Sequence, residues 1–214
     1  IGKRMEDWLN NMGDWTISRK RYYGLPLPFY PCECGHLTVV SSKEELKELG
    51  GGDAVDQLPE LHRPWIDDIQ IDCPECGKKV SRVEETGDVW LDAGIVPFST
   101  MPYFTDRKQW EEHYFPIEWV TEMREQVRLW FYSLLFMSVT ITGKAPYQRV
   151  LAFSSVVQED GSKFSKTGTM IEFDDAAERI GSDAIRYLYA GTGYVNDVRF
   201  GFNLGEEARR KLLG

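Results

Sequence analysis

At 214 residues with 42% hydrophobic and 28% charged side chains, the chain can bury a core, and no apolar run approaches the roughly 18 residues that a membrane-spanning helix needs. The formal charge of −9 excludes a surface that clamps nucleic acid along its whole length, while leaving room for local basic patches such as Arg19-Lys20-Arg21 and Arg209-Arg210-Lys211. The start, Ile1-Gly2-Lys3-Arg4-Met5, reads as neither a signal peptide nor a methionine start, so the expectation is a cytoplasmic, monomeric fragment with no membrane contact.

In chain order, the first chemical signal is a pair of cysteine turns, Cys32-Glu33-Cys34-Gly35-His36 and Cys73-Pro74-Glu75-Cys76-Gly77, each with glycine after the second cysteine. Four thiolates suit tetrahedral Zn²⁺ in a closed, structural site with no open position for catalysis. The first turn has one residue between its cysteines where two are usual, so His36 is an alternative ligand; free thiols or a disulfide pair are the other readings. Between the turns, Ser42 to Leu49 reads as a short capped amphipathic helix broken by Gly50-Gly51-Gly52.

Further along, Asp88 to Asp92 is β-prone, and Gln148 to Val157 is a longer strand candidate. Glu125 to Thr140 between them carries Val127, Trp130, Phe131, Leu134, Leu135 and Met137 near helical spacing, with Gly143 as the stop. Strand, helix, strand predicts a parallel sheet, in which ligands bind beyond the carboxyl ends of the strands. Asp174 to Gly181 and Ser182 to Tyr189 read as two capped helices, with Arg186 pairing Asp183 or nearby carboxylates. Leu204 to Leu213 reads as a third, with Glu206/Arg210 and Glu207/Lys211 at i,i+4 spacing.

The loop Asp160 to Met170 contains Lys163-Phe164-Ser165-Lys166-Thr167 between glycines. Two ammonium groups on a loop able to close suit a triphosphate, because they can meet negative charge as it develops on departing pyrophosphate.

This pentapeptide resembles the KMSKS signature of the class I aminoacyl-tRNA synthetases, with Phe164 for methionine and Thr167 for the last serine. Four more segments match in the same order: Asp14 to Gly24, similar to DWxISRQRYWG; Leu61-His62-Arg63-Pro64-Trp65; Gly87 to Gly94; and Asn196-Asp197-Val198-Arg199-Phe200. Together they are similar to the isoleucyl branch of that family, and the likeness spans essentially the whole chain.

The resemblance implies an α/β fold: the C-terminal half of a Rossmann-like catalytic domain with a zinc-ribbon insertion and the start of a helical stem-contact region. Residues 1–30 would return the chain to the catalytic core, 31–86 would form the ribbon, 87–170 the second half of the catalytic domain with the lysine loop, and 171–214 the helical region. It implies ATP with Mg²⁺, isoleucine and tRNA(Ile) as partners, and structural zinc on Cys32, Cys34, Cys73 and Cys76. Lys163 and Lys166 would be catalytic, and Lys163, Ser165 and Lys166 would bind ATP. Glu122, Gln126 and Trp130, aligned with EGxDQxRGWF, would hold the aminoacyl-adenylate. The chain lacks the family's HIGH motif and its editing domain, so alone it is expected to be inactive. It departs from the pattern at Ala93, Met123, Glu125, Leu129 and Phe153. A valyl or other class I paralogue, or a non-catalytic RNA-binding zinc module of synthetase ancestry, are the competing readings.

Overall fold

The computed structural model describes residues 1–166 and 168–214 as a mixed fold of helices and short strands. The helices are α1 (Gly2–Asn11), α2 (Lys43–Leu46), α3 (Val89–Gly94), α4 (Val96–Ser99), α5 (Arg107–Gln109), α6 (Trp130–Thr142), α7 (Phe173–Ile180), α8 (Ser182–Gly191) and α9 (Phe202–Leu213). The strands are β1 (Ser18–Arg19), β2 (Phe29–Pro31), β3 (Leu37–Val39), β4 (Gln70–Asp72), β5 (Lys79–Ser81), β6 (Thr86–Gly87), β7 (Ile117–Met123), β8 (Tyr147–Phe153), β9 (Val156–Gln158) and β10 (Val198–Phe200). The chain divides into two compact units. One comprises Ile1–Asn10, Lys108–Tyr132 and Ala145–Gly214; the other comprises Asn11–Arg107 and Ser133–Lys144.

In the second of these units, β1 pairs antiparallel with β6, so the Asp14–Gly24 and Gly87–Gly94 segments meet. Asp88 joins them. Its side chain is 4% exposed, and its Oδ2 accepts from Trp15 Nε1 at 2.9 Å and from the Arg19 guanidinium. Its Oδ1 accepts the Trp90 N–H at 3.1 Å, which caps α3. The strand expected over 88–92 is therefore a helix: β-prone composition yields to a cap that two tertiary hydrogen bonds hold in place. Asp88→Ala strips the cap and removes the carboxylate that Arg19 and Trp15 share. Because Arg19 is 37% exposed, the expected loss is about 3 kcal/mol, the low end for a broken buried pair, read as a lower urea midpoint.

The same unit holds a core of Tyr30, Val40, Leu46, Val55, Ile66, Ile69, Ile71, Cys73 and Val80. It is framed by two antiparallel hairpins, β2–β3 and β4–β5. Ser42 caps α2 as its sequence suggests, accepting the Glu45 N–H at 3.1 Å. The helix breaks at the glycines as expected: Gly50 (φ +120°) and Gly52 (φ +53°) leave the helical region, separating the π turn Lys47–Gly51 from the 3₁₀ turn Gly52–Gln57. Arg63 pairs with Asp67 at 2.7 Å and reaches the Arg21 carbonyl at 3.4 Å, which brings the Leu61–Trp65 segment against the Asp14–Gly24 segment.

In the other unit, β7 and β8 pair in parallel, with α6 between them in sequence. The parallel pairing is the expected one, but its first strand is β7, not 88–92. The helix expected over 125–140 begins only at Trp130: Arg124–Arg128 form a 3₁₀ turn, and Leu129 (φ −128°, ψ −108°) separates the two. Gly143, at φ +72°, ends the helix as expected. The longer strand candidate is interrupted at Ser154-Ser155, giving β8 and then β9, and β9 pairs in parallel with β10.

Helices α7, α8 and α9 pack around Ala176, Ile180, Ala184 and Phe200. Gly181 ends α7 at φ +92°, matching its expected capping role. Gly205 lets α9 approach α7: a Cβ added there would lie 2.3 Å from Ile180 Cδ1, and Ile180 is 1% exposed. Alanine ordinarily favours a helix interior over glycine by about 1 kcal/mol. Here the overlap with a side chain that has nowhere to move outweighs that gain, so Gly205→Ala is expected to destabilise by about 1–2 kcal/mol, seen as a lower melting temperature.

Candidate active site and cysteine cluster

Each unit carries one constellation of chemistry-bearing residues. In the unit containing β7 and β8, the register Met123↔Phe153 brings both strands to their carboxyl ends together. Glu122, half-buried one residue before that end, accepts the Met123 N–H on Oε2 at 2.7 Å. Gln126 follows on the 3₁₀ turn, and its Oε1 accepts the Trp130 N–H at 3.0 Å, capping α6. This bond leaves the Gln126 amide nitrogen as the group able to donate to a ligand. Trp130 is half-buried, with its ring 6.1 Å from that of Phe131, which is fully buried. Gln126 and Trp130 are thus in direct contact, with Glu122 just upstream at the strand end.

At the end of β8, Ser154 and Ser155 stand where the family pattern has HGF, and both bind Asp197. Asp197 Oδ1 accepts the Ser154 hydroxyl, the Ser155 N–H at 3.1 Å and Arg124 Nη2 at 3.5 Å. The Ser154 hydroxyl first, then the Ser155 N–H, with Arg124 and Lys163 adding, hold its carboxyl below the usual range. Sequence reasoning matched the Asn196–Phe200 segment but gave Asp197 no role. The available signal was two charged residues, Asp197 and Arg199, spaced to share one side of a strand.

The lysine loop leaves β9 through a tight turn. Gly161, at φ +90°, donates to the Gln158 carbonyl at 2.9 Å, and Asp160 accepts the Ser162 N–H at 2.8 Å and hydroxyl at 2.7 Å. Phe164 is half-buried and packs on the α7–α8 cluster, while Lys163, Ser165 and Lys166 are exposed. The aromatic ring at the methionine position therefore anchors the loop and leaves both ammonium groups in solvent, where phosphates can reach them. Ser165 donates its N–H to Thr169 Oγ1 at 3.1 Å. Thr167 lies outside the described residues.

In the other unit, the Sγ atoms of Cys32, Cys34, Cys73 and Cys76 lie within 4.8 Å of one another, with Cys32–Cys76 at 3.5 Å and Cys34–Cys73 at 3.7 Å. A tetrahedron with Zn–S bonds near 2.3 Å has sulfur–sulfur edges of about 3.8 Å, so these four residues fit the ion. The one-residue gap between Cys32 and Cys34 is accommodated by the β2–β3 hairpin. His36 serves that turn through its carbonyl, which accepts the Cys32 N–H at 2.8 Å, and is not one of the four clustered ligands. Burial pushes the Cys73 thiol up, but the N–H groups of Cys76 and Glu75 and the neighbouring sulfurs outweigh it and bring it down to about 6, favouring the thiolate that a metal needs.

Residues 1–201 match the family of class I tRNA synthetases (I, L, M and V), and the chain belongs to that family. Its relatives include isoleucine–tRNA ligases of Clostridium acetobutylicum, 38% identical over 212 residues, of Bacillus thuringiensis, 39% over 213, and of Streptomyces avermitilis, 39% over 214. Each match covers 98% of this chain and 20% of the relative, so the chain spans a fifth of the length of these curated relatives. Among solved structures, an Agrobacterium radiobacter LeuRS in ternary complex with tRNA and LeuAMS superposes with a TM-score of 0.66 at 21% identity. That match covers 94% of this chain and 27% of the other, and it establishes a shared fold. Among the described residues, no helix is long and apolar enough to cross a membrane.

Proposed function

We propose that the chain is the C-terminal half of the catalytic core of an isoleucine–tRNA ligase, which activates isoleucine with ATP and transfers it to tRNA(Ile). The observation that carries this reading is the loop geometry: Phe164 half-buried as an anchor, Lys163 and Lys166 exposed, and the Lys163 charge felt by Asp197 at the end of the parallel strands. In this reading the domain boundaries stay as the sequence suggests, with a Rossmann-like half-domain at 87–170, a zinc ribbon at 31–86 and a stem-contact region at 171–214.

The isoleucine carboxylate attacks the α-phosphorus of Mg²⁺-bound ATP in line and expels pyrophosphate, and the acyl group then passes to the tRNA. No side chain acts as a nucleophile. Lys163 and Lys166 offset the charge that develops on the leaving group, and Ser165 binds ATP beside them. Glu122, the free amide nitrogen of Gln126 and the Trp130 ring hold the aminoacyl-adenylate, so alignment supplies the remainder of the rate. Cys32, Cys34, Cys73 and Cys76 would hold Zn²⁺, which would supply cross-linking of the small hairpins and no chemistry on substrate.

The test is amino-acid-dependent ATP–pyrophosphate exchange by the full-length enzyme carrying this chain, with isoleucine, valine, leucine and methionine. Exchange strongest with isoleucine, roughly 10- to 200-fold over valine as one methylene allows, is the expected result. Exchange led by another amino acid, or absent with all four, would overturn the assignment.

A further inference from the structure

The Asn196–Phe200 segment has no substrate role in the reading above, yet its two charged side chains reach both ends of the strand that launches the lysine loop. Strand β10 lies parallel to β9 with Val198 opposite Val156 and Phe200 opposite Gln158. The two-residue strand period puts Asp197 and Arg199 on one side. Asp197 grips the entry to β9, through the Ser154 hydroxyl and the Ser155 N–H. Arg199 grips its exit: Nη1 donates to the Glu159 carbonyl at 3.2 Å, and the guanidinium passes beside Gly161, 3.6 Å from where a Cβ would stand.

Glu159 carries the tie further. Its carboxylate accepts the Leu204 N–H and Asn203 Nδ2, each at 2.9 Å, at the start of α9. Gly201 leaves the room for it, since a Cβ there would fall 2.3 Å from Glu159 Cγ. Asp197 also holds Arg124, two residues beyond Glu122. Among the described residues neither Lys163 nor Lys166 has an ion pair, so the attitude of the lysines is set by the loop's base and by the Phe164 anchor. An Asp197–Arg124 pair that is 42% and 40% exposed contributes little stability. What it does provide is a fixed position.

We infer that Asp197 and Arg199 are positioning residues, clamping the base of the lysine loop in register with the carboxyl ends of β7 and β8. The inference rests on the proposed synthetase reading for what the loop does, and on geometry alone for what holds it.

Two measurements separate these dependencies. On the 214-residue chain, tryptic cuts after Lys163 and Lys166 are timed by mass spectrometry against cuts after Arg209 and Lys211 in the same unit. Asp197→Ala and Arg199→Met should each raise the loop-to-helix cutting ratio by about fivefold or more, because only the loop base is released. A uniform rise at all four sites, or no change in either variant, overturns the clamp whatever the enzyme does. In isoleucine-dependent exchange by the full-length enzyme, Asp197→Asn should lower kcat by about 10- to 100-fold while the KM for isoleucine stays within about twofold, since a misplaced loop costs rate and not ground-state binding. A parallel loss in both parameters, or an unchanged kcat, also overturns it. An unmodified enzyme without isoleucine exchange sinks the synthetase reading instead and leaves the proteolysis result standing.

Discussion

Serine in place of Cys73 is expected to strip the chain of stoichiometric zinc and to unfold the segment built on the β2–β3 and β4–β5 hairpins. Each strand in those hairpins is three residues long, and isolated hairpins of that size are not stable in water. What unites them is the apolar cluster around Tyr30, Ile71 and Val80, and the four converging sulfurs. Cys73 belongs to both sets: it is 3% exposed, sits in the cluster, and supplies one of the four sulfurs. Serine is nearly isosteric, so packing changes little, but its hydroxyl does not ionise near neutrality and is a poor ligand for zinc. Structural zinc contributes on the order of 10 kcal/mol to small metal-dependent folds, far more than such a segment's remaining contacts can replace. The expected record is one zinc per chain in the unmodified protein and none in the variant. Melting should fall by about 10 °C or more, and chelator should reproduce the variant's behaviour on the unmodified protein. Chelator-free protein without zinc, or a variant that melts unchanged, would mean that the sulfurs are neighbours without being ligands.

What could be read from the sequence follows from how locally each feature is determined. The helices near 174–181, 182–189 and 204–213 were legible because capping and periodicity are written within a turn or two, as Gly181 illustrates at the end of α7. The cysteine cluster was legible because ligand chemistry fixes residue type, although the strands that close the one-residue gap were not.

Asp88 shows the opposite case. Its segment has the composition of a strand, and only the Trp15 and Arg19 bonds, 73 and 69 residues away in sequence, fix the carboxylate as a helix cap. Strand β7 was missed because Glu118, Thr121 and Glu122 dilute its apolar content and its Trp119 stays 53% exposed, leaving no clean alternation to find. The helix expected from Glu125 begins five residues late because the family-like stretch 124–128 winds as a 3₁₀ turn that ends at Leu129, a break that propensity does not mark. Nothing local marks a task for Asp197, since its partners Ser154 and Arg124 lie 43 and 73 residues upstream.

Removing both loop lysines should have the largest effect on chemistry. Lys163 and Lys166 are exposed, so alanine at either position leaves no cavity and breaks no buried bond; folding should be untouched, with melting unchanged. Catalysis should not be. In adenylate formation the departing pyrophosphate gains charge only as the α-phosphorus bond breaks, so a cation placed there stabilises the transition state more than bound ATP. Losing one such group costs about 10²- to 10³-fold in rate, and two that act on one leaving group do not add fully. Lys163→Ala with Lys166→Ala in the full-length enzyme is therefore expected to lower kcat for isoleucine-dependent exchange by about 10³-fold or more. The KM for isoleucine should hold, because the contacts proposed for Glu122, Gln126 and Trp130 are untouched by either substitution. Arginine at each position should restore part of the rate, since it returns the charge with a different reach. A double variant that exchanges at the unmodified rate would show that the loop's charge takes no part in the reaction, and would turn attention to the unit carrying the cysteine cluster as the functional part of this chain.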